Sequence, residues 1–333
     1  MSLDREELRE ELARLILGAT GGLDATEVAE KGGLDREKVE RLWRAIGFPD
    51  AGDAPAYGES DVEVARLVAD ALDSGLLREE TVVRLGRALG NTMARLADWQ
   101  VAIVVAQIAA DVAEGRAPSR LVSAVTLARV AEPGFEKVML YAWRRHLAAA
   151  AARVEALGAI DAELLSTTMT VGFADLSRFT AMTNTMDEAE LGDLVENFET
   201  RVSDIITAGE GRVIKALGDA VLFVNLDARA AVDTSLEVVA KISARDDLPN
   251  VRVGLATGSV LSRLGDVFGP PVNLAARLSN VARSHRVLVD RHTADALPPD
   301  AYDMRSLPPR VLRGFGEVSP ITVSRRRAFR VRR

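Results

Sequence analysis

The sequence predicts an α+β chain: an all-helical first half, residues 1–160, followed by a second half, 161–333, in a β-α-β-β-α-β order. Three observations lead there. Apolar residues recur every third or fourth position until about residue 160 and alternate afterwards. An alanine-rich helical run, "YAWRRHLAAAAARVEALG", joins the halves without a Gly/Ser-rich segment. Finally, "GRVIKALGDAVLFV" reads as strand, tight turn, strand, directly after a long amphipathic helix.

Composition bounds what such a chain can do. At 333 residues with 48% apolar content it is long enough for two cores. It contains no Cys, which excludes disulfides, thiolate metal sites and a cysteine nucleophile, and suits a reducing cytosol. The charged N-terminus lacks the pattern of a secretory signal. The most apolar run, Val101 to Ala113, is interrupted by Gln107 and Asp111 and falls short of about 20 residues; it reads as a buried helix, so the expectation is a cytoplasmic chain without a membrane span. Residues 1–165 carry 28 acidic against 20 basic residues, and the remainder 21 against 22. An acidic first half is a poor match for nucleic acid, and none is expected as a partner. The one basic cluster, "RRRAFRVRR", is either a solvated chain end or a polyanion patch.

In the first half, Leu8, Leu12, Leu15 and Ile16, and then Val62, Ala65, Leu67, Val68 and Leu72, repeat at helical spacing. "GATGG", "GFPDAGDAPAYG" and "EGRAPS" mark the breaks. Asp24 to Asp50 has the form of a helix-turn-helix with Gly32 and Gly33 at the turn, a unit that also serves as a packing module. The connecting helix is expected from about Pro133 to Gly158.

In the second half, "TMTVGFAD" puts Met169, Val171 and Phe173 on one face of a first strand. A helix follows with Leu191, Leu194, Val195, Phe198, Val202, Ile205 and Ile206 as its buried stripe, opened by a Thr185/Glu188 capping box. "VRVGLATGSVLS" and "RVLVD" supply further strands. The order is ferredoxin-like: an antiparallel sheet with helices on one face.

Two acids interrupt this apolar pattern. Asp175 ends the first strand, and Asp219 sits at the hairpin turn after Gly218. The topology sets that strand beside the hairpin, so the two carboxylates converge, and they repel unless a cation lies between them. Oxygen ligands favour Mg²⁺ or Mn²⁺ and leave room for phosphate oxygens. "LSRFT", including Phe179 and Thr180, can offer backbone N–H groups to a triphosphate at a helix start.

Taken in order, "FADLSRFT", "IKALGDAVLF", "RVGLATG", "GDVFGPPVNLAAR" and "LRGFG" resemble the catalytic domain of class III nucleotidyl cyclases from about Thr168 to Arg325. The resemblance implies an adenylyl cyclase that converts ATP to cyclic AMP and pyrophosphate. It implies two divalent cations, Mg²⁺ or Mn²⁺, at Asp175, Asp219 and Leu176. Lys215 and Asp266 would read adenine, where guanylyl members typically carry Glu and Cys. Asn273 would orient the ribose and Arg277 stabilise charge on the α-phosphate; Arg252 and Arg313 would hold the outer phosphates, with Phe179 and Thr180 beside them. The family more often has Lys where Arg313 stands, and Arg keeps the charge with a different donor geometry.

Family sites form between two catalytic domains, so the resemblance also implies a homodimer with two equivalent sites. The helical half is similar to that of two-domain actinobacterial cyclases, where it autoinhibits and in some members senses acid pH. His146, in the connecting helix, is then either a pH switch or a solvated histidine. The alternatives are a catalytically inactive cyclase fold used as a nucleotide sensor and a helix-turn-helix regulator.

Overall fold

The computed structural model describes residues 5–18, 21–156, 166–177, 179–245, 247–263 and 265–326. They form two compact units, Met1–Arg153 and Val154–Arg333.

The first unit holds helices α1 (Arg5–Leu17), α2 (Ala25–Gly32), α3 (Arg36–Ile46), α4 (Glu59–Asp73), α5 (Glu79–Ala113) and most of α6 (Arg120–Ala156). Asp24 starts α2 by accepting from the Thr26 and Glu27 amides while Glu27 reaches back to the Asp24 amide. Gly33 ends it at φ 76°, a left-handed conformation that favours glycine. Val28, Val39, Leu42, Trp43, Val62 and Ala65 make the core. Trp43 lies edge-on to Tyr57 and donates to Asp61 at 2.9 Å.

The structure corrects the sequence here in three places. α6 begins at Arg120 and runs through Pro133, where the helix had been expected to start. Leu67, placed on a buried stripe by its spacing, is exposed, and Ala69 takes the inward position. The run Val101–Ala113 is also not buried. Trp99, Val101, Ile103 and Val105 are exposed and Ile108 is inside. Among the described residues α5 is the one helix long and apolar enough, by length and composition, to cross a membrane. The polar interruptions have a local role: Asp111 accepts from Ser123, Arg116 and Gln107, which fastens the α5–α6 corner and holds its carboxyl below the usual range.

The second unit runs β1 (Ser166–Leu176), α7 (Phe179–Thr183), α8 (Glu188–Ala208), β2 (Arg212–Ala216), β3 (Ala220–Asn225), α9 (Ala228–Ser243), β4 (Val251–Arg263) and β5 (Asp266–Phe268). It continues with α10 (Pro270–Val281), β6 (Val287–Val289), α11 (Arg291–Asp295), β7 (Tyr302–Ser306), β8 (Arg310–Leu312), β9 (Gly316–Val318) and β10 (Ile321–Arg325). The main sheet has the order β2-β3-β1-β4-β6-β10-β7, with β5 folded back on β4, while β8 and β9 form a separate hairpin. The β2-β3-β1-β4 core is the expected ferredoxin-like arrangement, and the β4–β6 pair is parallel.

Helices cover both faces of the sheet. α8 and α9 pack Phe198, Ile206, Val238 and Ile242 onto Leu176, Phe223 and Val253. On the other face, Met169, Val171, Leu222 and Ala256 meet Ala275 of α10. One-sided cover was the expectation; the difference follows from β4, where Gly254 admits the α10 backbone so closely that a Cβ would lie 2.2 Å from the Ser279 nitrogen. Phe198 and Phe223 are almost wholly buried, so truncating either to Ala costs about 3–5 kcal/mol. α8 starts at Glu188 behind an Asp187/Glu190 capping box; Thr185 instead turns back to the Met182 carbonyl.

Candidate active site

Alternation along β1 decides what Asp175 faces. Ala174 and Leu176 enter the α8/α9 core, so Asp175 points to the opposite face. There it is paired in register with Arg252 of β4, whose Nε donates to Asp175 Oδ1 at 2.9 Å. Arg252 is fixed a second time by its Nη1, which donates to the Asn280 carbonyl at the end of α10. On the other side β1 pairs with β3 at Asp175 and Ala220, which draws the β2–β3 turn against the strand end. The Leu176 amide donates to the Asp219 carbonyl at 2.8 Å and closes that contact.

The two carboxylates feel one another. Burial pushes the Asp175 carboxyl above its usual range, Arg252 opposes this, and the charge of Asp219 adds to it. Asp175 Oδ2 takes no hydrogen bond among the described residues, and Asp219 has no side-chain partner there. A buried acid with a spare oxygen, an acid beside it and, among the described residues, no third His, Cys, Asp or Glu grouped with them fits a hard cation that takes its other ligands from outside. Leu176 is buried in the core, so only its carbonyl is available to an ion.

A second pair joins β2 to β5. Lys215 Nζ lies 2.5 Å from Asp266 Oδ2, and Asp266 Oδ1 accepts from the Val267 amide. Fifty-one residues of sequence separate this pair, and β5 returning along β4 brings it together.

The remaining residues stand apart from both pairs. Pro270 and Pro271 open α10, so Asn273 and Arg277, one turn apart, share an exposed face. Arg313 is exposed in the β8–β9 turn. None of these three has a side-chain hydrogen bond or ion pair among the described residues. Phe179 begins α7 half-buried against the core, while the Thr180 side chain lies outside the described residues, as do tail residues 327–333. His146 is exposed on α6 with no partner among the described residues, as a solvated histidine is.

Two features escaped the sequence. The Ser177 amide donates to the Asn250 carbonyl at 2.7 Å, so it is not free for phosphate as the "LSRFT" reading had it. Its hydroxyl, by contrast, is buried without a partner among the described residues. A hydroxyl residue two positions after the strand-end acid was the available signal.

Comparison with known proteins agrees with this layout. Residues 165–323 match the adenylate and guanylate cyclase catalytic domain, and residues 7–115 the adenylate cyclase regulatory domain. An adenylate cyclase of Streptomyces coelicolor is 41% identical over 288 residues, covering 86% of this chain and 74% of that one. An adenylate cyclase of Glutamicibacter nicotianae is 33% identical over 96% of this chain and 83% of its own length. A pH-sensitive adenylate cyclase of Mycobacterium tuberculosis is 31% identical, with 93% and 78% covered. With both domains present and such identity along most of its length, the chain belongs to the adenylate cyclases.

Proposed function

We propose that this cyclase converts ATP to cyclic AMP at two equivalent sites shared across a homodimer, under control of its helical unit. The observation that carries the reading is the split in the site: two ion pairs closed within the chain, and three exposed polar groups with no side-chain partner among the described residues. Groups that complete a site on a second copy have no partner within one chain.

One half contributes Asp175, Asp219, the Leu176 carbonyl and Arg252. Asp175 and Asp219 would hold divalent ions, and ions bound there lower the pKa of the ribose 3'-hydroxyl and offset phosphate charge. Arg252 reaches the outer phosphates with the guanidinium edge that Asp175 and Asn280 leave open. The partner's copy of the other half supplies the remaining contacts. Lys215 spends one of its three donors on Asp266 and keeps two, so it donates to an adenine ring nitrogen while Asp266 accepts from the exocyclic amine. Guanine presents a carbonyl to Asp266 and is repelled. Asn273 orients the ribose, Arg277 stabilises charge at the α-phosphate, and Arg313 holds the terminal phosphates. The 3'-oxygen then attacks the α-phosphorus in line with departing pyrophosphate.

Dimerisation also accounts for the exposed apolar side of α5, which a water-soluble cytoplasmic protein covers with a second copy. Product analysis with ATP and with GTP, each with Mn²⁺, tests the assignment on wild type and Asp219→Ala. Cyclic AMP from wild type and none from the variant is expected; cyclic GMP as the main product overturns it. For regulation, pH profiles of the full chain and of one beginning near Asp161 are compared, and identical profiles overturn control by the helical unit.

A further inference from the structure

A second basic site lies in the catalytic unit, away from the two ion pairs. Ile321 and Val323 of β10 face the α8/α9 core, so Thr322 between them faces the other way. Register sets Thr322 beside Leu288 of β6 and Arg305 of β7, one row across three strands. This row belongs to the floor of a cleft of about 900 Å³. Leu288 is buried there against Leu278 of α10 and Ala282, which caps its end. Arg283 and Arg286 enter the lining from the segment after α10, and Arg310 from β8.

The charge in this cleft is unbalanced. Its one acid among the described residues, Asp303, already faces Arg326 at 3.5 Å. Arg283, Arg286, Arg305 and Arg310 have no carboxylate partner and no side-chain hydrogen bond among the described residues. Other surface arginines of this unit, such as Arg245, Arg291 and Arg325, each have an acid beside them. Four unmatched guanidinium groups around one concavity repel one another unless a multiply charged anion lies among them. Their planar forks match phosphate oxygens two at a time. The volume is that of a small-molecule pocket and does not suit a duplex.

We propose that this cleft binds an oligophosphate anion, free or carried on a nucleoside, at a site separate from the catalytic one. Arg277 and Arg313, the proposed catalytic phosphate contacts, are not among its lining residues.

The test is calorimetric titration of the full-length protein with inorganic triphosphate at low salt, with a chelator present so that no divalent ion loads the catalytic carboxylates. Wild type is expected to bind one equivalent per chain, more weakly as salt rises. The Arg286→Ser/Arg305→Ser pair, and independently the Arg283→Ser/Arg310→Ser pair, should each weaken binding about a hundredfold. Both should retain cyclase turnover, which also reports that they fold; Asp175→Asn and Arg277→Ser should bind triphosphate as wild type does. Repeating the titration with ATP separates the sources: equal affinity supports a free oligophosphate, and affinity at least tenfold tighter supports a nucleotide. Absence of binding to wild type, binding retained in both arginine pairs, binding lost in Arg277→Ser, or a duplex preferred to triphosphate would each overturn the proposal.

Discussion

The two ion pairs of the candidate active site are built alike and buried differently. Asp175 and Arg252 are 11% and 24% exposed, whereas Lys215 and Asp266 are 34% and 32% exposed. In the second pair water shares the charge, and the bond is worth about 1 kcal/mol or less. In the first, desolvation outweighs Arg252, since the Asp175 carboxyl is pushed up despite its partner. A raised carboxyl in the folded state means that ionised Asp175 costs stability above that pKa, and the cost is relieved as pH falls through it. Burial thus works against the charge of Asp175 at the end of β1, whereas the Lys215–Asp266 pair is nearly neutral in cost. That difference is what the proposed metal-binding role of Asp175 would lead one to expect.

The largest expected effect breaks the comparison at its buried end. Asp175→Asn should lower cyclase activity by at least about a thousandfold, or about 4 kcal/mol of barrier. It should leave the thermal midpoint of the metal-free protein unchanged or raised, because the desolvated charge is gone. Mn²⁺ should raise the midpoint of wild type and not of the variant. If Mn²⁺ stabilises both equally, the acid is not a metal ligand.

Next comes the division of labour between the pairs. Asp175→Ala and Lys215→Ala proteins should each be inactive, and refolding them together at equal amounts should restore about a quarter of wild-type activity, because half the dimers then carry one intact site of two. Activity that stays at background would mean that each chain builds its own site. A smaller change is expected from altering the less buried pair alone. Lys215→Glu with Asp266→Cys should reduce ATP turnover about a hundredfold and raise the GTP to ATP ratio, since the site then presents the wrong donors and acceptors. Steady-state rates on both nucleotides measure it.

Legibility in the sequence follows the same division. Asp175 and Asp219 stood out because an acid at the end of an apolar strand or in a hairpin breaks a period, and strand order alone set them side by side. The Asp175–Arg252 contact did not, because cross-strand register depends on how β1 and β4 slide, and no spacing within one strand reveals it. The second-face position of α10 was hidden for a related reason: a single glycine, Gly254, permits it, and a glycine in a strand reads equally as a bulge. α5 misled in the opposite way. Its apolar run has the composition of a core helix, and composition does not say whether its cover comes from the same chain.

The smallest expected effect concerns Arg313, exposed in the β8–β9 turn and without a protein partner among the described residues. Held in no ion pair among the described residues, its guanidinium would, in the proposed role, meet phosphate with whatever geometry the turn allows, and Lys would offer the same charge as a compact point. Arg313→Lys should therefore change kcat/KM by about threefold or less, with the KM for ATP carrying most of the change, while Arg313→Ala should cost about tenfold or more by removing a charge-assisted bond. Equal losses in both variants would show that the fork shape is what matters there, and would place Arg313 among the groups that orient the pyrophosphate as it leaves.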